Sequence, residues 1–170
     1  MIFYCIISAI VNAGASIVLG LAVLSRRRKN GGANEQFVLF VVSGGLWSAG
    51  LASWLTASDA SAALFWCKML SAAAILIPAT YFHFVVRLLG HRHPVLVPLS
   101  YVIAVTLMVL AATPLIVREV APYGGFPHWP RAGVLYPFYL IFFCALPAYC
   151  WVKLFAAMRR AAHSKRNQLK

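Results

Sequence analysis

The side chains in this chain that could do chemistry are few and scattered. Asn12 interrupts an apolar run, where an amide serves either an interhelical hydrogen bond or, less commonly, a ligand or ion contact. Pro78 sits mid-way along another run, where its ring kinks a helix and frees a carbonyl. A static bend is the simpler use of it, and a hinge the sharper one. His83 falls one helical turn before Arg87, so the two can line a polar cavity from one face; a buried, hydrogen-bonded histidine is the simpler outcome. His91 and His93 flank Arg92 with no acidic or cysteine partner beside them, a weak metal pattern. The four cysteines (Cys5, Cys67, Cys144, Cys150) form no CxxC pair and lie in or beside apolar segments, where a free thiol behaves as a small hydrophobe. A Cys5–Cys67 disulfide is the less favoured alternative. The three acids, Glu35, Asp59 and Glu119, lie in loops or at loop edges. They offer a proton- or cation-coupled transporter no paired carboxylates within the apolar runs. The richest segment, Arg118 to Arg131, reads REVAPYGGFPHWPR and combines turn formers with Tyr123, Phe126, His128 and Trp129. Trp and Tyr favour headgroup depth, so an interfacial belt is the simpler reading, and a lid over an outward-facing pocket the functional one.

These residues are set in a chain of unusual composition. Of its 170 residues 62% are hydrophobic and 11% charged, against roughly a quarter charged in a soluble domain. One small core could not hide that much apolar surface, so lipid must solvate it. The net charge of +12 does not point to nucleic acid, because the basic residues sit in short clusters between long apolar runs rather than along one face. Met1 is followed at once by apolar residues, and the cluster Arg26-Arg27-Arg28-Lys29 comes after them. That order suits an uncleaved span rather than a cleaved signal.

Five runs are long enough to cross a bilayer, at about 20 residues each: residues 2–24, 37–55, 64–89, 95–117 and 133–157. They are continuous rather than alternating, and twice the length of a barrel strand, so helices are expected. Lys68 and Arg87 lie near the ends of the third run, from which long side chains reach the headgroups. Gly45, Ala49 and Ser53, and Ser16 with Gly20, repeat at four-residue spacing. Such spacing lets backbones approach, within the bundle in the favoured reading or along a homodimer seam in the other. Trp54, Trp66 and Trp151 at run ends fit an aromatic belt. The expected fold is an all-α integral membrane bundle of about five helices, a single region over residues 1–170 with no soluble domain.

Lys and Arg set the orientation. Only Lys68, Arg118 and Arg131 fall on one side; the first loop, Arg87, Arg92 and the tail from Lys153 to Lys170 fall on the other. The N-terminus is therefore expected outside, and the C-terminus in the cytoplasm.

Several patterns then coincide in order. Asn34 to Phe37 precedes Gly45-Leu46-Trp47. Trp66-Cys67-Lys68 follows, then Pro78-Ala79-Thr80-Tyr81-Phe82-His83-Phe84-Val85-Val86-Arg87 with Gly90 beyond. Ala112-Thr113-Pro114, the Gly/Pro/aromatic segment, Gly133-Val134-Leu135-Tyr136 and Arg159-Arg160 leading to Arg166-Asn167-Gln168-Leu169-Lys170 complete the series. The series resembles the N-terminal seven-span sensor region of bacterial membrane histidine kinases, a region also joined to other outputs such as diguanylate cyclases. The resemblance covers nearly the whole chain but only five of seven spans. No histidine here stands in phosphoacceptor context, and there is no Gly-rich nucleotide lid.

The resemblance implies a multi-pass protein of the bacterial inner (plasma) membrane, acting in a two-component system. On that reading it is a receptor's sensor region, truncated before its kinase domains and not itself an enzyme. The partners implied are the lipid bilayer and an extracellular or intramembrane signal, with no cofactor and no metal. The expected ligand contacts are Tyr123, Trp129 and Arg131, with Asn12, Pro78 and His83 in structural or hinge roles. A small membrane carrier or channel subunit is the alternative, and Asn12 is nearly its only candidate for a polar midplane. A membrane-embedded enzyme ranks third, for want of clustered acids, His or Cys.

Overall fold

The computed structural model describes residues 2–25, 32–91 and 93–168. The cluster Arg26 to Lys29, Arg92, and the side chains of the tail beyond Arg160 lie outside the described residues. In chain order the elements are α1 (Ile2–Ser25), α2 (Gly32–Leu55), α3 (Ala60–Leu88), α4 (Leu96–Ala111), β1 (Val117–Tyr123), β2 (Phe126–Ala132) and α5 (Tyr136–Gln168).

Each helix end has a local cause. Asp59 accepts the Ala62 amide at 2.9 Å and N-caps α3, and this hydrogen bond holds its carboxyl below the ordinary aspartate range. At the other end Gly90 takes φ +66°, its amide bonding the Arg87 carbonyl while the His91 amide reaches Val86. This is a Schellman stop, which glycine adopts without a Cβ penalty. α4 ends well before the end of its apolar run. Pro114 has no amide to continue the ladder and biases Thr113 away from helical geometry, while the Thr113 hydroxyl bonds the Leu110 carbonyl at 2.6 Å. Lys68, placed at a span end by the sequence, donates to the Ala112 carbonyl at 3.0 Å. A cation there complements the C-terminal end of the α4 dipole.

Four helices (α1, α2, α3, α5) are long and apolar enough to cross a membrane. The 16 residues of α4 reach about 24 Å, short of the roughly 30 Å hydrocarbon core. α2 and α3 begin earlier than their apolar runs: α2 continues helix through the polar Asn34-Glu35-Gln36, and α3 starts at the Asp59 cap.

α3 is the hub, packing against α2, α4, α5 and both strands. Cys67, Ile75, Pro78, Ala79 and Phe82 are buried along it. α2 lies between α1 and α3, and small residues set the spacing. A Cβ on Gly45 would come within 3.1 Å of Ser16 Cβ, and one on Gly50 within 3.3 Å of Leu70 Cα. The Ser16–Gly45 approach is thus used inside the chain, as bundle packing requires. Aromatic pairs Phe37–Phe84 and Phe40–Tyr81 close the opposite end of the α2–α3 seam. α1 buries only Ala9 and Gly20 and turns Phe3, Ile10 and Val18 outward. α5 similarly exposes Ile141, Trp151 and Phe155. These are faces that lipid, not water, can solvate.

Candidate functional site

The segment read from sequence as a loop is a β-hairpin. β1 and β2 pair antiparallel with Val120 opposite Pro130 and Ala121 opposite Trp129. The chain reverses at Gly124 and Gly125, with φ of +57° and +84°. Two consecutive left-handed residues make the tight hairpin turn whose twist matches the strands. Pro122, Pro127 and Pro130 obscured this in the sequence. A two-stranded ribbon has two free edges, where a missing amide costs no ladder bond, and register shifts interrupt the pairing beside Glu119 and Tyr123.

The base of the ribbon is closed where the segment after α4 meets the segment before α5. The Gly133 amide donates to the Ile116 carbonyl at 2.9 Å, and the Leu135 amide to Leu115 at 2.8 Å. A Cβ at position 133 would collide with the Leu115 carbonyl, so only glycine fits this crossing. The tip is held by Trp54, which sequence reasoning assigned to the interfacial belt. Trp54 is instead buried, at 8% exposure. Its indole N–H donates to the His128 carbonyl at 2.8 Å, its ring stacks on Phe126 at 6.1 Å and meets Trp129 edge-on at 5.8 Å. Trp66 and Trp151, by contrast, are exposed as a belt requires.

Beneath the hairpin lies a cavity of about 340 Å³. β2 contributes Trp129 and Arg131, α2 contributes Trp47, α3 contributes Ser71 and Ala74, and α5 brings Tyr136 and Tyr139. Two of the three expected ligand residues therefore line it. The third does not: Tyr123 is 60% exposed near the hairpin tip. Its ring lies 6.1 Å from Trp129 and beneath the Arg131 guanidinium at 5.4 Å. The three form one cation–π and aromatic cluster, in which Tyr123 holds the others in place. Trp47, Ser71, Ala74 and Tyr139 were missed. They sit in apolar runs, and nothing in spacing distinguishes a cavity wall from a packed seam. The Ser71 hydroxyl donates to the Cys67 carbonyl at 2.8 Å, and the other polar side chains of the wall belong to Trp47, Trp129, Arg131, Tyr136 and Tyr139. Such a wall suits a small, largely apolar or aromatic molecule with a few hydrogen-bonding groups.

The structural residues fall elsewhere. The Asn12 amide donates to the Ser48 hydroxyl at 2.5 Å, a bond between α1 and α2. That use takes from the carrier reading its midplane candidate. Pro78 is fully buried in α3, and the nearby Thr80 hydroxyl donates to the Leu76 carbonyl at 2.8 Å. His83 Nδ1 lies 3.2 Å from the Tyr101 hydroxyl of α4. Together with Arg87, His91 and His93 it lines a second opening of about 430 Å³ at the far end of the bundle. Among the described residues no group of three or more His, Cys, Asp or Glu side chains stands ready for a metal. All four cysteines are free, with Cys67 and Cys150 buried.

No curated protein and no solved structure matches this chain. Residues 8–170, however, match the family described as the N-terminal 7TM region of histidine kinase. With its long apolar helices packed around α3, the chain belongs to that membrane-sensor family of histidine kinases.

Proposed function

We propose that this chain is the membrane-embedded sensor region of a two-component, histidine-kinase-type receptor, and that it reads a small, largely apolar molecule in the cavity beneath the hairpin. The observation that carries the reading is the position of that cavity. Its walls come from α2, α3, α5 and β2 together, so a guest bears on the placement of α5 and the hairpin against α2 and α3. The hairpin base ties the end of α4 to the start of α5 through the Gly133 and Leu135 amides. A guest that displaces β2 therefore moves the 33-residue helix α5, about 50 Å long, which runs past the apolar window toward the basic tail. Such a guest shifts the population of two packings only in so far as it binds them differently.

The proposal includes a topology. The positive-inside bias puts the hairpin outside and the far end of α3 in the cytoplasm of a bacterial inner membrane, with α4 and the apolar residues around it as the shortest of five crossings. Phosphotransfer belongs to domains other than this sensor region.

The test is binding by the full chain in lipid nanodiscs, read as thermal stabilisation against a panel of small aromatic and amphipathic metabolites. Ala74→Phe fills the cavity and is expected to abolish the response to any active compound. Tyr123→Ala, near the hairpin tip, is expected to weaken it by no more than about tenfold, since an exposed cation–π contact contributes about 1 kcal/mol. Silence across the panel, or equal responses from Ala74→Phe and the unmodified chain, would sink the proposal.

A further inference from the structure

The other side of α3 carries a different opening. α4 and α5 both pack on α3 without closing on each other, and an apolar cleft of about 640 Å³ lies between them. Leu99, Ile103 and Leu107 form one wall, Ile141 and Phe142 belong to the other, and Phe82 of α3 reaches it from behind. Ser100, the polar wall residue of α4, turns its hydroxyl to the Val97 carbonyl at 2.7 Å. From Leu96 to Leu107, and from Phe138 to Tyr149, each wall runs about 16 Å. That is close to one leaflet, half of the roughly 30 Å hydrocarbon core.

The cleft opens at one end onto basic side chains. Phe82 and Tyr149 also line a small recess that contains His91, His93 and Lys153. Lys153 Nζ lies 5.2 Å from the centroid of the Tyr149 ring, and the His93 ring 6.5 Å from the same centroid. Arg87 lines the adjoining opening with His91 and His93. The acid at this end of the bundle, Glu35, belongs to the first turn of α2 rather than to the recess. A helix from a second copy of this chain, with 3 acidic residues against 15 Lys+Arg, supplies little negative charge to meet these basic side chains. An acyl chain is narrow enough, and it ends in a headgroup.

We propose that the cleft and its recess bind an anionic phospholipid of the surrounding bilayer, with one acyl chain between α4 and α5 and the phosphate at Lys153, His93 and Arg87. Apolar contact supplies the depth, and the cations supply the preference for negative charge. The site would join the lipid to the two helices that the hairpin links along the chain.

The experiment is native mass spectrometry of the full chain released from micelles containing phosphatidylglycerol and phosphatidylcholine with identical acyl chains, with glycerol phosphate as the headgroup alone. Phosphatidylglycerol should be retained over phosphatidylcholine by about fivefold. Lys153→Gln should bring the two toward parity, and Lys153→Arg should keep the preference. Ala145→Trp, which fills the cleft, should lower retention of both lipids; Ile103→Trp plugs it from the opposite wall if the first variant loses helix content by circular dichroism. Glycerol phosphate should not be retained. Equal retention of the two lipids, an undiminished preference in Lys153→Gln, or full retention in both plugged variants would overturn the proposal. So would a cysteine at position 103 cross-linking efficiently to a second copy.

Discussion

The two sides of α3 are packed differently. Toward α2 the seam closes along its length, by aromatic pairs at one end and by Gly50 at the other, where a Cβ would press on Leu70 Cα. α4 also buries small residues, Ser100, Ala104 and Ala111, but between α4 and α5 the surfaces are large, with Leu99, Ile103, Phe138 and Phe142 lining an open apolar cleft. In lipid there is no hydrophobic drive between helices, so close van der Waals contact is what distinguishes a fixed seam from an adaptable one. The α1–α2–α3 side is the closely packed frame, and the α4–α5 side is the more openly packed one. The hairpin bridges them. Trp54 binds its tip to the frame, while the Gly133 and Leu135 amides close its base between the segments that follow α4 and precede α5.

The sharpest way to break this contrast is to cut the bridge at the frame. Trp54→Ala removes a buried ring, a hydrogen bond and two aromatic contacts. It should cost about 3–5 kcal/mol in equilibrium unfolding from micelles, whereas Trp54→Phe should cost about 1–2, the hydrogen bond alone. A loss as small for alanine as for phenylalanine would mean that the hairpin is not anchored there. Next in size, Gly50→Val should overpack the α2–α3 seam by about 1–3 kcal/mol, while Ile103→Val, facing the cleft, should change stability by under about 1. Similar costs at the two positions would erase the distinction between closely and openly packed sides. The smallest effect belongs to the outermost seam of the frame. Asn12→Leu should cost about 0.6 kcal/mol, the typical contribution of an interhelical hydrogen bond in lipid, and Ser48→Ala should cost the same because each removes the same bond. Unequal losses would show that Asn12 serves something beyond Ser48.

Much of this was legible in the residues. The apolar runs announced α1, α2, α3 and α5, the series from Pro78 to Arg87 carried part of the family resemblance, and the third run stopped within one residue of the end of α3. Asn12 found the interhelical partner an amide in an apolar run should find. The hairpin was not legible. Its Gly-Gly turn was visible, but three prolines argue against strands unless one knows that the ribbon stands alone with both edges free. Nor was the role of Trp54. A tryptophan at the end of a span reads as an interfacial anchor, and only the return of the chain at His128 gives its indole N–H a buried acceptor.

The sequence by itself determined that the chain lives in a membrane, roughly where its four long helices lie and which family it belongs to, because hydropathy is a local property written residue by residue. Only the tertiary structure decided which tyrosines and tryptophans face a cavity, that Tyr123 supports the site rather than lines it, and that α4 and α5 leave a cleft. Those outcomes depend on how far apart two helices settle. That distance is set by pairs of residues far apart in the chain, such as Gly50 with Leu70 and Gly133 with Leu115, whose meeting no local pattern records.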